Sequence, residues 1–418
     1  MFFEEVRRYG AAALILCAAA LPCIPAASSG AETRSSVTAG YDSFIDRFTI
    51  LEKDTVETLE EFYAGLMNSL SLERPGLRVE FRNNFKYGDQ TVDENLEGLF
   101  SIGSPSATRF DLRSNLHMKH FRSGSDYLFG NDYLQSNTYL KLKRRLGGGA
   151  RLAVRSRFEL IDYEERTDFD YDYTYVDLGL ELEGGSYFDR FLRVGAAVGF
   201  REAPDTTALS YRRTALDLEA RLSPADNATL HFAAIGDRRD YREDVKTGHW
   251  DISAYLDYTV VHPSGRFYSL RGEAELTLYD ETTSTYFDTY FLRTSFRAKS
   301  PLRKGISLSL EPRAAVMLCS DFEEERYVEG TAVIGLDLTA SADLWLTVSY
   351  EPGYRHYSLD ENELYSDFYL NRLSLMGSAA IPWSSSLNLF ITHDPERHSR
   401  REDDFSITLI SVDVTKRF

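Results

Sequence analysis

The cysteines of this chain do not form a site for a metal or a cofactor. Cys17 and Cys23 lie close to the amino terminus, and Cys319 is the only other cysteine in the sequence. No C-x-x-C pair that could ligate zinc or attach haem is present. We therefore expect no cofactor and no metal.

The histidines and their neighbouring carboxylates give only a weak indication of catalysis. His117, His231 and His249 are far apart and share no motif, whereas His393 is followed by Asp394 and by the acidic segment 402–404. Hydrolases need a nucleophile, a base and an orienting group in one constellation. The sequence predicts a protein that is not an enzyme, and a hydrolase is the least favoured alternative.

Charged residues instead recur at every second position of long amphipathic segments. In Phe267–Tyr279 the apolar side chains alternate with polar and charged ones, and the same period of two returns in residues 172–183 and 306–318. This period is typical of strands, and a helix would mix the two sets. The charged positions that we expect on the inner face are Arg109, Arg113, Lys141, Lys143, Arg155, Arg157, Asp177, Glu181, Arg271, Glu273, Glu275 and Arg313.

The connections between these segments fall into two alternating classes. Short turns rich in Gly, Pro or Ser, such as "GGG" at 147–149 and "HPSG" at 262–265, alternate with longer and strongly charged connections such as "YEERTDFD" and "SDFEEER". Strands of about 10 to 13 residues are long enough to cross a bilayer when tilted. Both observations predict an up-and-down sheet of membrane-spanning strands.

The amino terminus has the layout of an export signal. Arg7 and Arg8 precede the apolar run "AAALILCAAALPCIPAA", which is shorter than the roughly 20 residues of a spanning helix. Small residues follow at 29–31. We predict a signal peptide over residues 1–31, cleaved after Ala31.

The carboxyl terminus, "TLISVDVTKRF", is an amphipathic strand that ends on Phe418. Ile410, Val412, Val414 and Phe418 lie on one face, with Lys416 as the exception. The segment resembles the closing strand of bacterial outer-membrane β-barrels, which the barrel-insertion machinery reads. Together with the signal, the strands and the turns, it identifies a porin-like outer-membrane barrel without pointing to a specific family. A soluble secreted all-β protein is the alternative.

The resemblance implies an antiparallel transmembrane barrel over residues 76–418. Counting back from the last strand, the alternating turns predict 18 strands, with Leu77–Tyr87 as the first. If the two weakest segments stay outside the sheet, the count is 16. Such a barrel faces outer-membrane lipid and lies in the outer membrane of a bacterium with two membranes.

Residues 32–75 are expected to form a short helical segment ahead of the barrel. Asp54 and Glu57 have capping-box spacing, and the apolar residues that follow have heptad spacing. This segment would lie in the periplasm, pack in the lumen, or dock on a partner. The docking face of the predicted helix is Val56, Leu59, Tyr63, Leu66 and Leu70.

The expected function follows from the inner wall. A barrel of 16 to 18 strands encloses room for an aqueous pore, and its charged lumen predicts a channel or polar conduit for small solutes or ions. The alternative is a sheath or scaffold around a periplasmic partner, such as an electron-transfer protein, or self-association through the helix. The formal net charge of -18 excludes nucleic acid as a partner.

Overall fold

The computed structural model describes residues 31–418 apart from 51–52, 105, 122–130, 166–169, 187–189, 244–245, 284, 342 and 360–363. The predicted signal peptide, residues 1–31, therefore lies outside the described residues except for Ala31. No helix in the described ranges is long and apolar enough to span a membrane.

The chain folds into twenty antiparallel strands of 12 to 22 residues. Their bounds are β1 Ala31–Ile50, β2 Lys53–Arg74, β3 Leu77–Gly88, β4 Thr91–Gly103, β5 Thr108–Phe121, β6 Tyr133–Gly147, β7 Ala150–Tyr163, β8 Tyr173–Gly185, β9 Arg190–Glu202, β10 Tyr211–Ala225, β11 Ala228–Tyr241, β12 His249–Val261, β13 Phe267–Tyr279, β14 Thr289–Arg303, β15 Ile306–Cys319, β16 Tyr327–Ser341, β17 Leu344–Tyr357, β18 Phe368–Ile381, β19 Ser385–His398 and β20 Phe405–Arg417.

The sheet closes on itself. Each strand pairs with its neighbours in sequence, and the last strand, β20, pairs with β1 from Ser36–Arg417 to Phe48–Phe405. Closure leaves no unpaired sheet edge, which is the condition for strands to span lipid. The predicted antiparallel barrel is confirmed, but the predicted counts of 18 and 16 strands are wrong because β1 and β2 were not recognised as strands.

The predicted amino-terminal helix is also wrong. Residues 54–70 lie in β2, which pairs with β1 along its length and with β3 from Tyr63 to Arg74. The positions that looked like one helical face are divided between two faces: Tyr63 has the parity of the lumen side, and Val56, Leu66 and Leu70 have the opposite parity. The side chain of Leu59 lies outside the described part.

The physical reason for this error is that strand formation here depends on pairing with strands on both sides. β1 and β2 lie between β20 and β3 in the closed sheet, where their backbone groups are paired as lipid requires. Capping-box and heptad spacings are weak local preferences that tertiary pairing overrides. Pro75 and Gly76, expected to break a helix, form the turn between β2 and β3, where Gly76 has a positive φ of 76°.

The two ends of the barrel differ in their connections. The end that carries the tight turns is called the turn end; it also carries Ala31 and Phe418. The opposite end, called the loop end, carries the other connections, most of which are longer, and in the described residues three of them contain a short 3-10 helix. The alternation of short and long connections matches the prediction from β4 onward, whereas β3 and β4 are joined by residues 89–90 alone. In outer-membrane barrels the end with the tight turns faces the periplasm.

The outer surface is an apolar band with aromatic residues at both margins. Leu178, Leu180 and Leu182 of β8 point outward and are each more than half exposed. Outward-facing aromatic side chains include Tyr290 and Tyr369 near the loop end and Tyr258 and Tyr268 near the turn end. Trp250 and Tyr258 of β12 are eight residues apart, or about 26 Å along a strand. This arrangement suits the apolar thickness of a membrane.

Candidate functional site: the lumen wall

Strand β8 shows how the sequence separates the lumen from the outer surface. Its inward side chains, Tyr175, Asp177, Glu181 and Glu183, are 3 to 7% exposed, whereas the leucines between them are the exposed outer residues described above. Because the period of a strand is two, every polar residue of this set faces the same side. The same alternation places all twelve predicted lumen residues on inward positions.

The twelve predicted residues do not form one site. Arg109, Arg113, Lys141, Lys143, Arg155, Arg157, Asp177 and Glu181 lie on β5–β8, Arg271, Glu273 and Glu275 lie on β13, and Arg313 lies on β15. The structure distributes them around the wall and engages most of them in ion pairs. Their role in selecting solutes stays a prediction.

Four residues of the first group, Lys141, Lys143, Arg155 and Glu181, belong to a ladder of alternating charges that crosses β6 to β8. Lys143 Nζ lies 3.1 Å from Glu183 Oε1, and Lys141 Nζ lies 3.6 Å from the same oxygen and also contacts Glu181. Arg155 Nε lies 3.3 Å from Glu181 Oε1. Glu181 is 3% exposed, so its charge is compensated by these two cations rather than by water.

The ladder continues onto β9 and β10. Arg155 Nη2 lies 3.1 Å from Asp217 Oδ1, and Arg193 bridges Asp217 and Glu219 at 3.6 and 2.9 Å. Small residues on β9 make room for these side chains: a Cβ on Gly195 would lie 2.3 Å from Asp217 Oδ1. The sequence pattern predicts that these charges face the lumen. It does not predict which charges pair, because several partners lie on strands that are not adjacent.

A second ladder crosses β15 to β19 on another part of the wall. Arg313 contacts Glu311 at 2.8 Å and Glu351 at 2.9 Å, and Arg372 contacts Glu351 at 3.5 Å and also Asp394. In both ladders most carboxylates lie between two cations, and Asp394 pairs with Arg372 alone among the described residues. The wall is thus made largely of matched pairs. Arg113 and Glu275 are the predicted lumen residues that are exposed and have no ion pair among the described residues.

An aromatic collar inside the lumen near the loop end was not predicted. Its rings come from the last residue of one strand and the first residue of the next, on inward positions, and neighbouring centroids are 4.7 to 5.9 Å apart. The members are Tyr133, Tyr163, Tyr173, Tyr211, Tyr241, His249, Tyr279, Tyr327, Tyr357, Phe368 and His398. The sequence carries one signal for it, because Asp-Tyr or Asp-Phe pairs at 132–133, 172–173, 367–368 and 404–405 mark the strand starts.

The aspartates of these pairs close the loops. Asp132 Oδ1 accepts the backbone N–H of Phe121 at 2.7 Å, Asp172 that of Tyr163 at 2.8 Å, and Asp367 that of Tyr357 at 2.7 Å. Asp288 and Asp404 do the same for the ends of β13 and β19. Each aspartate therefore caps the last amide of the preceding strand across its loop.

One group of potential metal ligands is built on such a cap. Atoms of His120, Asp132 and Glu164 lie within 4.8 Å of one another at the loop end. The contact of His120 with Asp132 is repeated at His356, whose Nδ1 lies 2.7 Å from Asp367 Oδ2. The repetition makes loop closure a sufficient explanation of this group.

The histidines considered for catalysis are dispersed, as expected. Each of the three scattered histidines pairs with its own carboxylate: His117 with Asp93, His231 with Glu219, and His249 with Asp251. His393 points outward by alternation while Asp394 belongs to the second ladder. No catalytic constellation forms from these residues in the described ranges.

A serine and a histidine that the sequence analysis passed over do meet at the loop end. Ser366 Oγ lies 3.0 Å from His398 Nδ1, and His398 Nε2 lies 3.4 Å from Glu396. The Ser366 hydroxyl, however, can also donate to Asp403 at 2.6 Å, and the residue is only 6% exposed. The contact joins two loops, and a substrate carbonyl has little access to the hydroxyl.

Comparison with solved structures decides the fold class. A mutant of the ferric enterobactin receptor PfeA from Pseudomonas aeruginosa matches at 10% identity over 93% of this chain and 81% of that chain, with a TM-score of 0.57. The alcaligin outer-membrane receptor FauA from Bordetella pertussis matches at 11% identity over 93% and 76%, with a TM-score of 0.56. The chain has the fold of outer-membrane β-barrel proteins.

A protein solved in complex with glucuronate is among the similar structures as well. OccK2 (OpdF) from Pseudomonas aeruginosa, in complex with glucuronate, matches at 12% identity over 93% of this chain and 98% of that chain, with a TM-score of 0.50. No family model matches this chain, and no curated protein matches it. At these identities the likeness establishes the fold and leaves the transported solute to be inferred from the lumen.

Proposed function

We propose that this protein is an outer-membrane channel that conducts small polar solutes or ions through the lumen. The observation that carries the proposal is a wide, closed wall whose charged side chains are open to the interior. Arg271, Arg293 and Arg297 point inward and have side chains that are 46 to 49% exposed. Every described residue belongs to a wall strand or to a connection at one of the two ends, so no described segment fills the interior.

The outer-membrane location belongs to the same proposal. An apolar belt flanked by aromatic margins and a closed hydrogen-bonded sheet are what lipid requires of a strand protein. The solved structures with this fold include outer-membrane receptors and a protein bound to glucuronate, which supports a transport role.

Planar-bilayer recording of the refolded, detergent-purified barrel tests the channel. We expect discrete steps of conductance from preparations whose gel migration changes on heating, and none from the same protein after irreversible heat unfolding. A folded, heat-modifiable barrel that never conducts would contradict the channel and favour the scaffold, in which a partner protein occupies the lumen.

The wall charges give a second measurement. Neutralising Arg109, Arg113, Arg155 and Arg157 to Gln should move the ion preference toward cations, because carboxylates such as Asp111, Glu159 and Glu181 keep their charge. Substitution of the same four positions by Lys retains the charge and is the matched control. Equal reversal potentials of the Gln and Lys variants in a salt gradient would place these side chains off the conduction path.

A further inference from the structure

Arg201 occupies an unusual place in the aromatic collar. Its guanidinium carbon lies 4.0 Å from the ring centroid of Tyr173, 5.0 Å from that of Tyr171 and 5.5 Å from that of Tyr211. It donates to the hydroxyl of Tyr171, and its Nε is buried without a hydrogen-bond partner. The cation is therefore held by ring faces and one phenol rather than by a carboxylate.

The contrast with the neighbouring arginines is the important point. Arg213 contacts Asp237, and Arg239 lies 3.5 Å from both Asp237 and Asp251. Over the ranges that the structure describes, Arg201 makes no ion pair. Keeping a guanidinium partly from water without an anion raises the free energy of the folded protein. Arg201 is therefore a favourable position for binding an anion from solution.

A second cation, Lys246, lies near the same group of rings. Lys246 lies in the loop between β11 and β12, and its Nζ is 5.7 Å from the ring centroid of Tyr241. Among the described residues, Lys246 forms no ion pair. Burial and then the nearby charge of Arg201 lower the pKa of the Lys246 ammonium. The positive charges of Arg201 and Lys246 thus lie near two neighbouring rings, Tyr211 and Tyr241, at the loop end.

The rings around the two cations supply flat apolar surfaces. Tyr211 and Tyr241 lie 5.6 Å apart in an edge arrangement, and Tyr171 and Tyr173 lie 6.2 Å apart. Ring faces at such spacing can contact a planar or ring-shaped solute while the cations hold its charge. An inorganic anion would use only the charges, whereas a ring-bearing anion would use both.

We propose that Arg201, Lys246 and the tyrosines at 171, 173, 211 and 241 form a binding site for a ring-bearing carboxylate at the loop-end mouth of the lumen. The site deepens the proposed channel function by naming a substrate class. The carboxylate lies between the guanidinium and the ammonium, and the ring lies against the tyrosines.

Equilibrium binding to the folded, detergent-purified barrel tests the site without depending on conductance. Calorimetric titration with benzoate, with acetate and with phenol separates the ring from the charge. We expect benzoate to bind at least about tenfold more tightly than either acetate or phenol. Equal affinities for benzoate and acetate would overturn the role of the rings.

Three single substitutions locate the binding. Arg201→Gln and Lys246→Gln should each weaken benzoate binding about tenfold or more. Arg242→Gln is the matched control, because Arg242 carries the same charge in the same loop but pairs with Glu202 at 3.4 Å, and benzoate affinity should change less than twofold. Heat-modifiable migration of each variant verifies folding.

The outcomes distinguish the site from the channel. A barrel that conducts ions but does not bind benzoate, or binds it equally well in all three variants, would overturn the site alone. A barrel that binds benzoate as expected but never conducts would retain the site and overturn the channel.

Discussion

At the residue scale, the lumen wall is built from charge pairs that differ in how well water reaches them. Glu181 is 3% exposed and is held by Lys141 and Arg155, whereas the side chain of Glu273 is 21% exposed and its two arginine partners are nearly half exposed. Water screens the second set and not the first. The two carboxylates therefore contribute differently to stability although both were predicted on the same pattern.

We predict that Glu181→Gln lowers the free energy of unfolding by about 3 kcal/mol, because the partly buried cations of Lys141 and Arg155 each lose one of their two anions. Glu273→Gln is the matched control and should cost about 0 to 1 kcal/mol. Urea unfolding of the barrel in lipid vesicles measures both. Similar losses for the two variants would contradict the difference in burial.

At the element scale, the aspartate caps fix the loops to the barrel. Burial acts to raise the pKa of Asp367, but hydrogen bonds from His356, the Tyr357 amide and Tyr354 outweigh it and lower this pKa. A carboxylate with a lowered pKa in the folded state stabilises that state above its unfolded pKa of about 3.9, and this contribution is lost as the pH falls through the folded value.

We therefore predict that the hydrogen bond from the Tyr357 amide to Asp367 persists down to about pH 4 and is lost below it. At neutral pH, Asp367→Ala should speed hydrogen exchange of the Tyr357 amide, because the amide loses its acceptor. Asp404→Ala is the control, because it removes the cap on the His398 amide and should leave exchange at Tyr357 unchanged. Equal exchange rates of the Tyr357 amide in the parent and in Asp367→Ala would argue against the cap.

The seam between β20 and β1 is the other element with a direct test. Ile410, Val412 and Val414 lie opposite Ser43, Tyr41 and Ala39, and Phe418 is 70% exposed at the turn end. Deleting Phe418 should lower the yield of folded outer-membrane barrel while synthesis and export continue, because we expect the insertion machinery to read this terminal aromatic residue. Equal levels of the deletion and the parent in the outer membrane would count against this role.

The strand assignment of β2 can be checked by its period. Cysteines introduced one at a time at 62 to 66, in a Cys319→Ser background, should react with a water-soluble thiol reagent at 63 and 65 and be shielded by lipid at 62, 64 and 66. A helical period in the reactivity would contradict the strand.

At the scale of the whole molecule, negative charge is concentrated at one end. The ten connections of the loop end contain 26 acidic and 7 basic residues, a difference of 19 that accounts for the formal net charge of -18. The wall is largely paired, so the long-range field arises from this end. Several of these acidic residues are the caps that close the loops.

We predict that the channel prefers cations at low salt and loses this preference as salt rises. The screening length falls from about 10 Å at 0.1 M to about 3 Å at 1 M, which confines the field of the loops. Reversal potentials in KCl gradients at low and high mean concentration measure the effect. A preference that is the same at both concentrations would assign selectivity to the wall.

The sequence by itself determined the period of two, the alternation of turns with loops and the face on which each charge lies, because these depend on neighbours in the chain. From them the barrel, its closing strand and all twelve inward positions in 77–418 could be predicted. Each strand of that region carries its own apolar face, and a one-residue shift would reverse it.

Only the tertiary structure decided the number of strands, the partners of the wall charges and the collar. β1 and β2 pair with β20 and β3 in the closed sheet, and this long-range pairing does not appear in their own spacing. The contact of Lys141 with Glu181 joins residues 40 positions apart, and its existence depends on register across two hairpins. The collar, with Arg201 between its rings, forms because strand ends from many hairpins reach the same height in the closed barrel.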